Sequence, residues 1–369
     1  MIQLTVTKYL NVRVGEASVN APCYQYLSPG SLLEVDGALY HGDNLFDNDI
    51  WYKDPAGNYY WSGGVAVPLS SAGINKTGIP DWMVNLKIPE IWQLTKGEGV
   101  GVAILDTGIN INNPDLTFDG AIRYAYNKEN PATADLQDVV GHGTFCAGLI
   151  ASKNKNGPVI GVAPDCHLYV CKIADEEELN DQSIYAKAIK FCAGQDDIKV
   201  ISISWASSIT EQTILDELNL EIKNAIDKDK IILCSVGNAS SFNDPGPLFP
   251  ASVDNVIGIG AIPLEHEIYP YINEHLITII NGKGMQSYDR NNAIVVFPPG
   301  TSQANAVVAG IVALIISYKK IKFSQQQILE MLKSISQPQT FSLLDFNQQR
   351  VSKTLNVLDP NLLLNLFQA

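Results

Sequence analysis

The chain has 369 residues, 46% of them hydrophobic and 17% charged, which is the composition of a folded globular protein and not of a disordered or coiled-coil one. Its length exceeds the usual ~100–200 residues of one domain and predicts two. A formal net charge of −14 argues against nucleic acid as a partner, because phosphate binding needs clustered Lys and Arg; the surplus carboxylates read as a solubilising surface, with a cationic partner as the alternative.

Residues 1–68 are rich in Tyr, Val, Gly, Asn and Asp, with short alternating segments broken by Ser28-Pro29-Gly30 and Asp36-Gly37, a pattern of small all-β structure. The opening MIQLTVTKYLNVRVGE has no basic start followed by an unbroken apolar stretch, so the cytoplasm is the favoured location, with secretion kept open for a chain whose signal has been removed. Residues 69–80, rich in Ser and Gly, form a linker. From residue 81 to the end, apolar strand-like runs (GVAILD, LYVCKI, VISISW, IILCSV, VIGIGA) alternate with helical ones such as SIYAKAIKFCAG and ILDELNLEIKNAI. That alternation predicts an α/β domain, a mainly parallel sheet covered by helices on both faces. FSQQQILEMLKSIS and LDPNLLLNLF read as closing helices. The longest apolar run, Ala306 to Ile316, falls far short of the ~20 residues that span a bilayer, so no membrane partner is expected. The six cysteines (Cys23, Cys146, Cys166, Cys171, Cys192, Cys234) contain no CxxC pair and read as buried free thiols. Cys166, His167 and Cys171 lie close together, but on a strand that spoils them as one metal shell.

Four segments carry groups that proteolysis by an activated hydroxyl requires. GVGVAILDTGIN ends a strand in Asp106, at the sheet edge where open α/β folds place their sites; a strand-end turn Asp is the structural alternative. DVVGHGTFCAGLIAS sets His142 between Gly141 and Gly143, which allow close approach of backbone or substrate, and opens a helix. KIILCSVGNASS ends a strand in Gly237-Asn238, where a side-chain amide could donate to an oxyanion, though Asn after Gly is also ordinary turn chemistry. PPGTSQANAVVAGIVALII puts Ser302 at the start of an apolar helix, whose positive end and backbone N–H groups favour an anion; an N-cap serine is the alternative.

These four segments occur in the chain order Asp, His, Ser. Together with NPDL (Asn113–Leu116), GVAPDCHLYVCKI (Gly161–Ile173), SISWAS and FPAS (Phe249–Ser252), they resemble the subtilase family from about residue 81 to the C-terminus. The resemblance implies a three-layer α/β domain and a serine endopeptidase working through an acyl-enzyme on peptide or protein substrates. It makes Ser302 the nucleophile, His142 the general base and acid, Asp106 the orienting acid, and Asn238 the oxyanion-hole partner of the Ser302 amide. Ser204, Trp205, Ala206 and Gly237 become substrate-binding residues. The chain departs from the family pattern at Pro299, Gln303 and Ala306 around the serine, at Phe145 after GHGT, and at Ala206 on the cleft edge, which points to restricted specificity. A catalytically inactive, peptide-binding scaffold of the same shape is the competing reading.

Residues 1–68 resemble a bacterial SH3-like module, through YLNVRVGE, DIWYKD and NYYWSGG. A peptide, a cell-wall ligand and the catalytic domain itself are its candidate partners. The acidic run Asp175-Glu176-Glu177-Glu178 suggests either a preference for basic substrates or a solvated loop. Calcium often stabilises subtilases, but neither Ser152–Gly157 nor Asp43–Asp49 supplies a persuasive set of oxygen ligands, and no metal or other cofactor is expected to be required.

Overall fold

The structure is a computed structural model that describes all residues except 1, 7–8, 29–30, 39, 46–47, 67–78, 126–127, 131–135, 156, 158, 175–181, 208, 210, 238–247, 263–275, 280–284, 297–299, 345–349 and 369. The N-terminal segment is all-β, with strands β1 (Ile2–Val6), β2 (Leu10–Val14), β3 (Cys23–Leu27), β4 (Leu32–Val35), β5 (Tyr40–Leu45), β6 (Asn48–Lys53), β7 (Asn58–Trp61) and β8 (Val65–Ala66). They form two antiparallel sheets, ordered β4–β1–β8 and β3–β2–β7–β6–β5. Alternation sends Leu4, Val6, Leu10, Val12, Leu33 and Val35 inward onto Tyr52 and Tyr60, a core of its own, as period-2 strands with one buried face require. Asp54 fixes the turn from β6 to β7: its Oδ1 accepts the Asn58 N–H at 2.8 Å and its Oδ2 accepts the Tyr60 hydroxyl at 2.7 Å.

The rest of the chain follows the β-α alternation read from the sequence. Helices α1 (Asp81–Asn85) and α2 (Ile88–Ile91) lead into β9 (Gly101–Asp106), β10 (Gly120–Ala125), β11 (Lys128–Asn130), α3 (His142–Ala151), β12 (His167–Lys172), α4 (Ile184–Ala193), β13 (Ile198–Ile203) and α5 (Gln212–Ile226). Next come β14 (Ile231–Ser235), β15 (Ile257–Ala261), β16 (Leu276–Ile279), the hairpin β17 (Gln286–Tyr288) and β18 (Ile294–Val296), and then α6 (Thr301–Lys319) and α7 (Gln325–Ser334). A second hairpin, β19 (Ser336–Leu344) and β20 (Arg350–Leu358), precedes α8 (Pro360–Gln368).

One sheet, ordered β11–β10–β12–β9–β13–β14–β15–β16–β20–β19, organises this region. Pairing is parallel from β10 across to β20 and antiparallel only at the two edges. A central parallel strand is covered on both faces, so it must be apolar at every position. β9 satisfies this: Val102 and Ile104 enter the apolar layer that contains α3 and α6, while Ala103 and Leu105 enter the opposite layer with α4 and α5. The three layers match the architecture the sequence implies.

Helix α6 runs through the first layer with Thr301–Ile315 buried. Among the described residues it is the one helix long and apolar enough to cross a membrane, and 89% of that stretch is packed inside the protein, so its composition is that of a core helix. α7 starts with a capping box, Ser324 and Gln327 each accepting the other's backbone N–H. The β19–β20 hairpin between the two closing helices has no counterpart in the sequence reading; its strands are exposed and polar over much of their length. The cysteines fit the expectation of free thiols: all six are unpaired and five are buried. His167 turns to Asp119 at 3.3 Å and Cys171 to Cys192 at 3.6 Å, so Cys166, His167 and Cys171 do not converge.

Candidate active site

β9 ends in Asp106, 1% exposed, beside Lys172 at the C-terminal edge of the parallel sheet. The chain then turns through Gly108, and Ile109 pairs with the segment that leads into α3: Ile109 N–H donates to Leu136 O at 2.9 Å, and Asp138 N–H to Ile109 O at 3.0 Å. This pairing draws the end of β9 and the start of α3 together. Gly141 precedes the helix at φ +106°, in the left-handed region, where a side chain is strained. Gly143 has no room for one, since a Cβ there would lie 2.3 Å from the Gly108 carbonyl oxygen. His142 is therefore set one residue from the closest approach of the two segments, and its Nδ1 meets Asp106 Oδ1 at 2.8 Å.

A buried carboxylate holds this approach in place. Asp138, 1% exposed, accepts on Oδ1 from Gly141 N–H at 2.7 Å, Val140 N–H at 3.0 Å and Thr107 Oγ1 at 3.0 Å. On Oδ2 it accepts from Thr144 N–H at 2.8 Å and Thr144 Oγ1 at 2.7 Å. The Thr107 hydroxyl in turn accepts Gly143 N–H at 2.9 Å. A negative group at the α3 N-terminus satisfies donors that the first helical turn leaves unpaired and complements the helix dipole. Gln137 O accepts from the buried Lys172 Nζ at 2.6 Å, and the Arg290 guanidinium donates to Val139 O, so both sides of the segment before His142 are braced.

Burial opposes charge on the His142 ring, but the Asp106 carboxylate, and after it the neighbouring Cys146, more than offset that and hold the imidazole pKa well above its ordinary value. The ring keeps 27% of its side-chain surface exposed, which leaves it open to a reacting group while Nδ1 stays engaged. Cys146, one helical turn on, lies against both His142 and Ser204; burial pushes its thiol pKa up. Asp106, His142 and Cys146 bring ligand-type atoms within 4.8 Å of one another, but the Nδ1 nearest to both partners is already hydrogen-bonded to Asp106.

Ser302 occupies the second position of α6, after Gly300 as N-cap, so the N-cap serine alternative does not hold. Ser302 and Ser204 are linked reciprocally: Ser302 Oγ donates to Ser204 O at 3.1 Å, and Ser204 Oγ donates to Ser302 O at 3.2 Å. α3 and α6 pack against each other, so the elements bearing His142 and Ser302 are neighbours, and Cys146 touches the Ser204 side of the contact. Asp106 with His142, and Ser302 with Ser204, thus form two hydrogen-bonded pairs at one end of the sheet. Beyond Ser204, Trp205 and Ala206 are half-buried and run to Ser207, whose backbone exchanges hydrogen bonds of 3.0 and 2.9 Å with Phe249. Gly237, buried, follows β14 at φ +90°. Asn238, Pro299 and the acidic run 175–178 lie outside the described residues.

Sequence reasoning missed Asp138, Thr107 and Thr144, which resemble ordinary loop polar residues, and Asn305, whose amide donates to Ser202 Oγ at 3.0 Å and Ser204 Oγ at 3.2 Å. Asp138 lies four residues before His142, a spacing at which an acidic residue can reach the first turn of a helix; that was the available signal.

Comparison with known proteins identifies the family. The model of the subtilase family (Peptidase_S8) matches residues 97–349, more than half of the chain. The chain is 28% identical over 256 residues to the major intracellular serine protease of Bacillus subtilis (strain 168), covering 67% of this chain and 78% of that protein. It is 28% identical over 253 residues to an intracellular serine protease of Paenibacillus polymyxa, covering 67% and 76%, and 27% identical over 289 residues to subtilisin E of Bacillus subtilis (strain 168), covering 76% and 71%. With the family model spanning β9, α3 and the start of α6, where Asp106, His142 and Ser302 stand, the chain belongs to the subtilase family and is a serine endopeptidase.

Proposed function

We propose that Ser302 is the nucleophile of peptide-bond hydrolysis, with His142 its general base and Asp106 the group that orients His142. The observation that carries this assignment is the 2.8 Å contact between Asp106 Oδ1 and His142 Nδ1 at the end of β9. With Nδ1–H committed to Asp106, Nε2 is left as the basic nitrogen. In the resting enzyme the Ser302 hydroxyl donates to Ser204 O; rotation about its Cα–Cβ bond releases it. As Oγ attacks the scissile carbonyl, its proton passes to Nε2, and the carbonyl π electrons move to oxygen. The Ser302 N–H at the start of α6 donates to that oxyanion, and the Asn238 amide completes the pair. The tetrahedral adduct collapses, the C–N bond breaks, and His142 returns the proton to the leaving amine. Water repeats the sequence on the acyl-enzyme. Ser204, Trp205, Ala206 and Gly237 flank the acyl side of the substrate, where backbone groups pair with an extended peptide.

A fluorophosphonate active-serine probe tests the assignment. It should label the wild type and fail to label Ser302→Ala; labelling of the variant at the wild-type rate disproves the role of Ser302.

Residues 1–68 are proposed to be a separate SH3-like module, joined to the catalytic domain of residues 81–369 by a linker at 69–80. Its own apolar core and two antiparallel sheets support that division. Its role is to hold or gate the catalytic domain or to bind a peptide or cell-wall ligand, and comparing the kinetics of a chain starting at Ile79 with those of the full chain separates gating from the rest. A cytoplasmic location draws support from two relatives named as intracellular proteases, and cell fractionation tests it. A metal-independent fold is proposed because the buried Asp115 carboxylate is already engaged by protein donors. Its Oδ2 accepts Tyr288 Oη at 2.6 Å and its Oδ1 accepts Lys155 N–H at 2.9 Å.

A further inference from the structure

Helix α6 is apolar from Ala306 to Ile316, and Asn305 is the most deeply buried of the polar residues that precede this stretch. Asn305 is wholly buried, and its Oδ1 has no hydrogen-bond partner among the described residues. A buried polar atom without a partner is costly, and a native protein that keeps one needs a reason for it. The other half of the same carboxamide is fully used: Nδ2 donates to Ser202 Oγ at 3.0 Å and to Ser204 Oγ at 3.2 Å. Ser202 lies in β13 and Ser204 just beyond it, two residues apart, so one amide spans two successive same-side positions of an extended segment. Because Ser204 Oγ accepts from Asn305, its own proton is directed to Ser302 O, and Ser302 Oγ closes the ring on Ser204 O. Ser302 and Asn305 are three residues apart, on one face of the helix, so both ends of the ring rest on the same turn of α6.

We propose that Asn305 is a positioning residue for the nucleophile, acting through Ser204: its amide fixes the cleft-edge segment against the α6 N-terminus and so sets the Ser302 backbone from which the hydroxyl swings into attack. This rests on the reading of Ser302 as nucleophile. Asn305 touches neither the hydroxyl nor the imidazole among the described contacts, and the Asp106–His142 pair forms no part of the ring. The clamp therefore acts on the geometry of attack and not on the basicity of the base. Misplacing a reacting group by about an ångström costs on the order of 10²-fold in rate, and losing the clamp allows part of that displacement.

The test compares Asn305→Ala and Ser202→Ala with the full-length wild type, using a peptide substrate, a fluorophosphonate label and thermal unfolding. Asn305→Ala should lower kcat about ten- to a hundredfold, with KM within about threefold and the midpoint of the acid limb of kcat/KM against pH unmoved. Ser202→Ala, which removes one of the two anchors and touches no reacting group, should lower kcat about threefold or more. The double variant should be no slower than Asn305→Ala alone, since both changes break the same ring. A folded Asn305→Ala enzyme with kcat within twofold of wild type overturns the proposal, as does a rise in KM alone or a shift of the pH midpoint. Should Asn305→Ala not fold, Ser202→Ala decides: an unchanged kcat there overturns it equally. Failure of the wild type to label at Ser302 would instead remove the nucleophile assignment, and this proposal with it.

Discussion

Replacing Asp138 by Ala measures how strongly the His142 segment depends on one buried carboxylate. The wild-type side chain accepts five hydrogen bonds, three from backbone N–H groups of Val140, Gly141 and Thr144 and two from the hydroxyls of Thr107 and Thr144. The hydroxyls can rotate to other acceptors, and Val140 is half-exposed and can turn to water. The N–H groups of Gly141 and Thr144 are buried and lose their acceptor outright. An orphaned buried donor costs ~1–3 kcal/mol, so the change should destabilise the protein by about 2–6 kcal/mol, a large share of the ~5–15 kcal/mol that keeps a domain folded. Asp138→Asn keeps Oδ1 for Gly141 but turns an NH2 group toward Thr144 N–H; it should cost about half as much. Urea unfolding gives the stability, and kcat/KM on a peptide gives the catalytic effect, which should fall by at least tenfold in the folded Ala variant because the α3 N-terminus carries His142. If the Ala variant unfolds within about 0.5 kcal/mol of wild type and retains full kcat/KM, the idea that Asp138 fixes this segment is wrong.

Three further outcomes follow from the same geometry. His142 acts as a base only when neutral, and its pKa is held well above the ordinary 6.5 chiefly by Asp106 acting against burial. Activity should therefore rise with pH through a midpoint above the usual imidazole range, and Asp106→Asn should move that midpoint down and lower kcat by about 10⁴. The linkage has the opposite sign for stability: because the folded-state pKa is raised, the contribution of His142 to stability is complete below its unfolded pKa and is lost as pH rises through the folded value. A pH titration of unfolding free energy, wild type against His142→Ala, reads this directly, and a contribution that grows with pH would contradict the geometry. Tyr288→Phe removes the donor to buried Asp115 Oδ2 and should destabilise by ~1–3 kcal/mol, whereas a chelator should leave the melting temperature of the wild type unchanged; a large drop on chelation would show a metal holding the Asp115 region.

The sheet was legible because burial on both faces leaves little choice of residue: GVAILD can hardly be anything but a central strand, and the alternation of such runs with amphipathic stretches predicts a parallel sheet between helices, though not its strand order. Asp106, His142 and Ser302 stood out in the sequence as candidates because each stands where a strand or helix begins or ends, with a glycine close by. The β19–β20 hairpin was not, because SQPQTFSLL and RVSKTLNVL lie at a sheet edge where polar residues are tolerated and the apolar period is weak. Asp138 and Asn305 escaped for another reason: a residue that holds a reactive group in place carries no chemistry of its own, and its meaning emerges only once the donors around it are located in space.

Ser302 stands at the head of a helix whose length is packed inside the protein. Backbone amides so deeply enclosed exchange with solvent only when the whole domain opens, which ties the seat of the hydroxyl to global cooperativity. Heat should then extinguish hydrolysis and solvent protection of α6 over the same few degrees, with no intermediate stage in which a silent enzyme keeps its core intact.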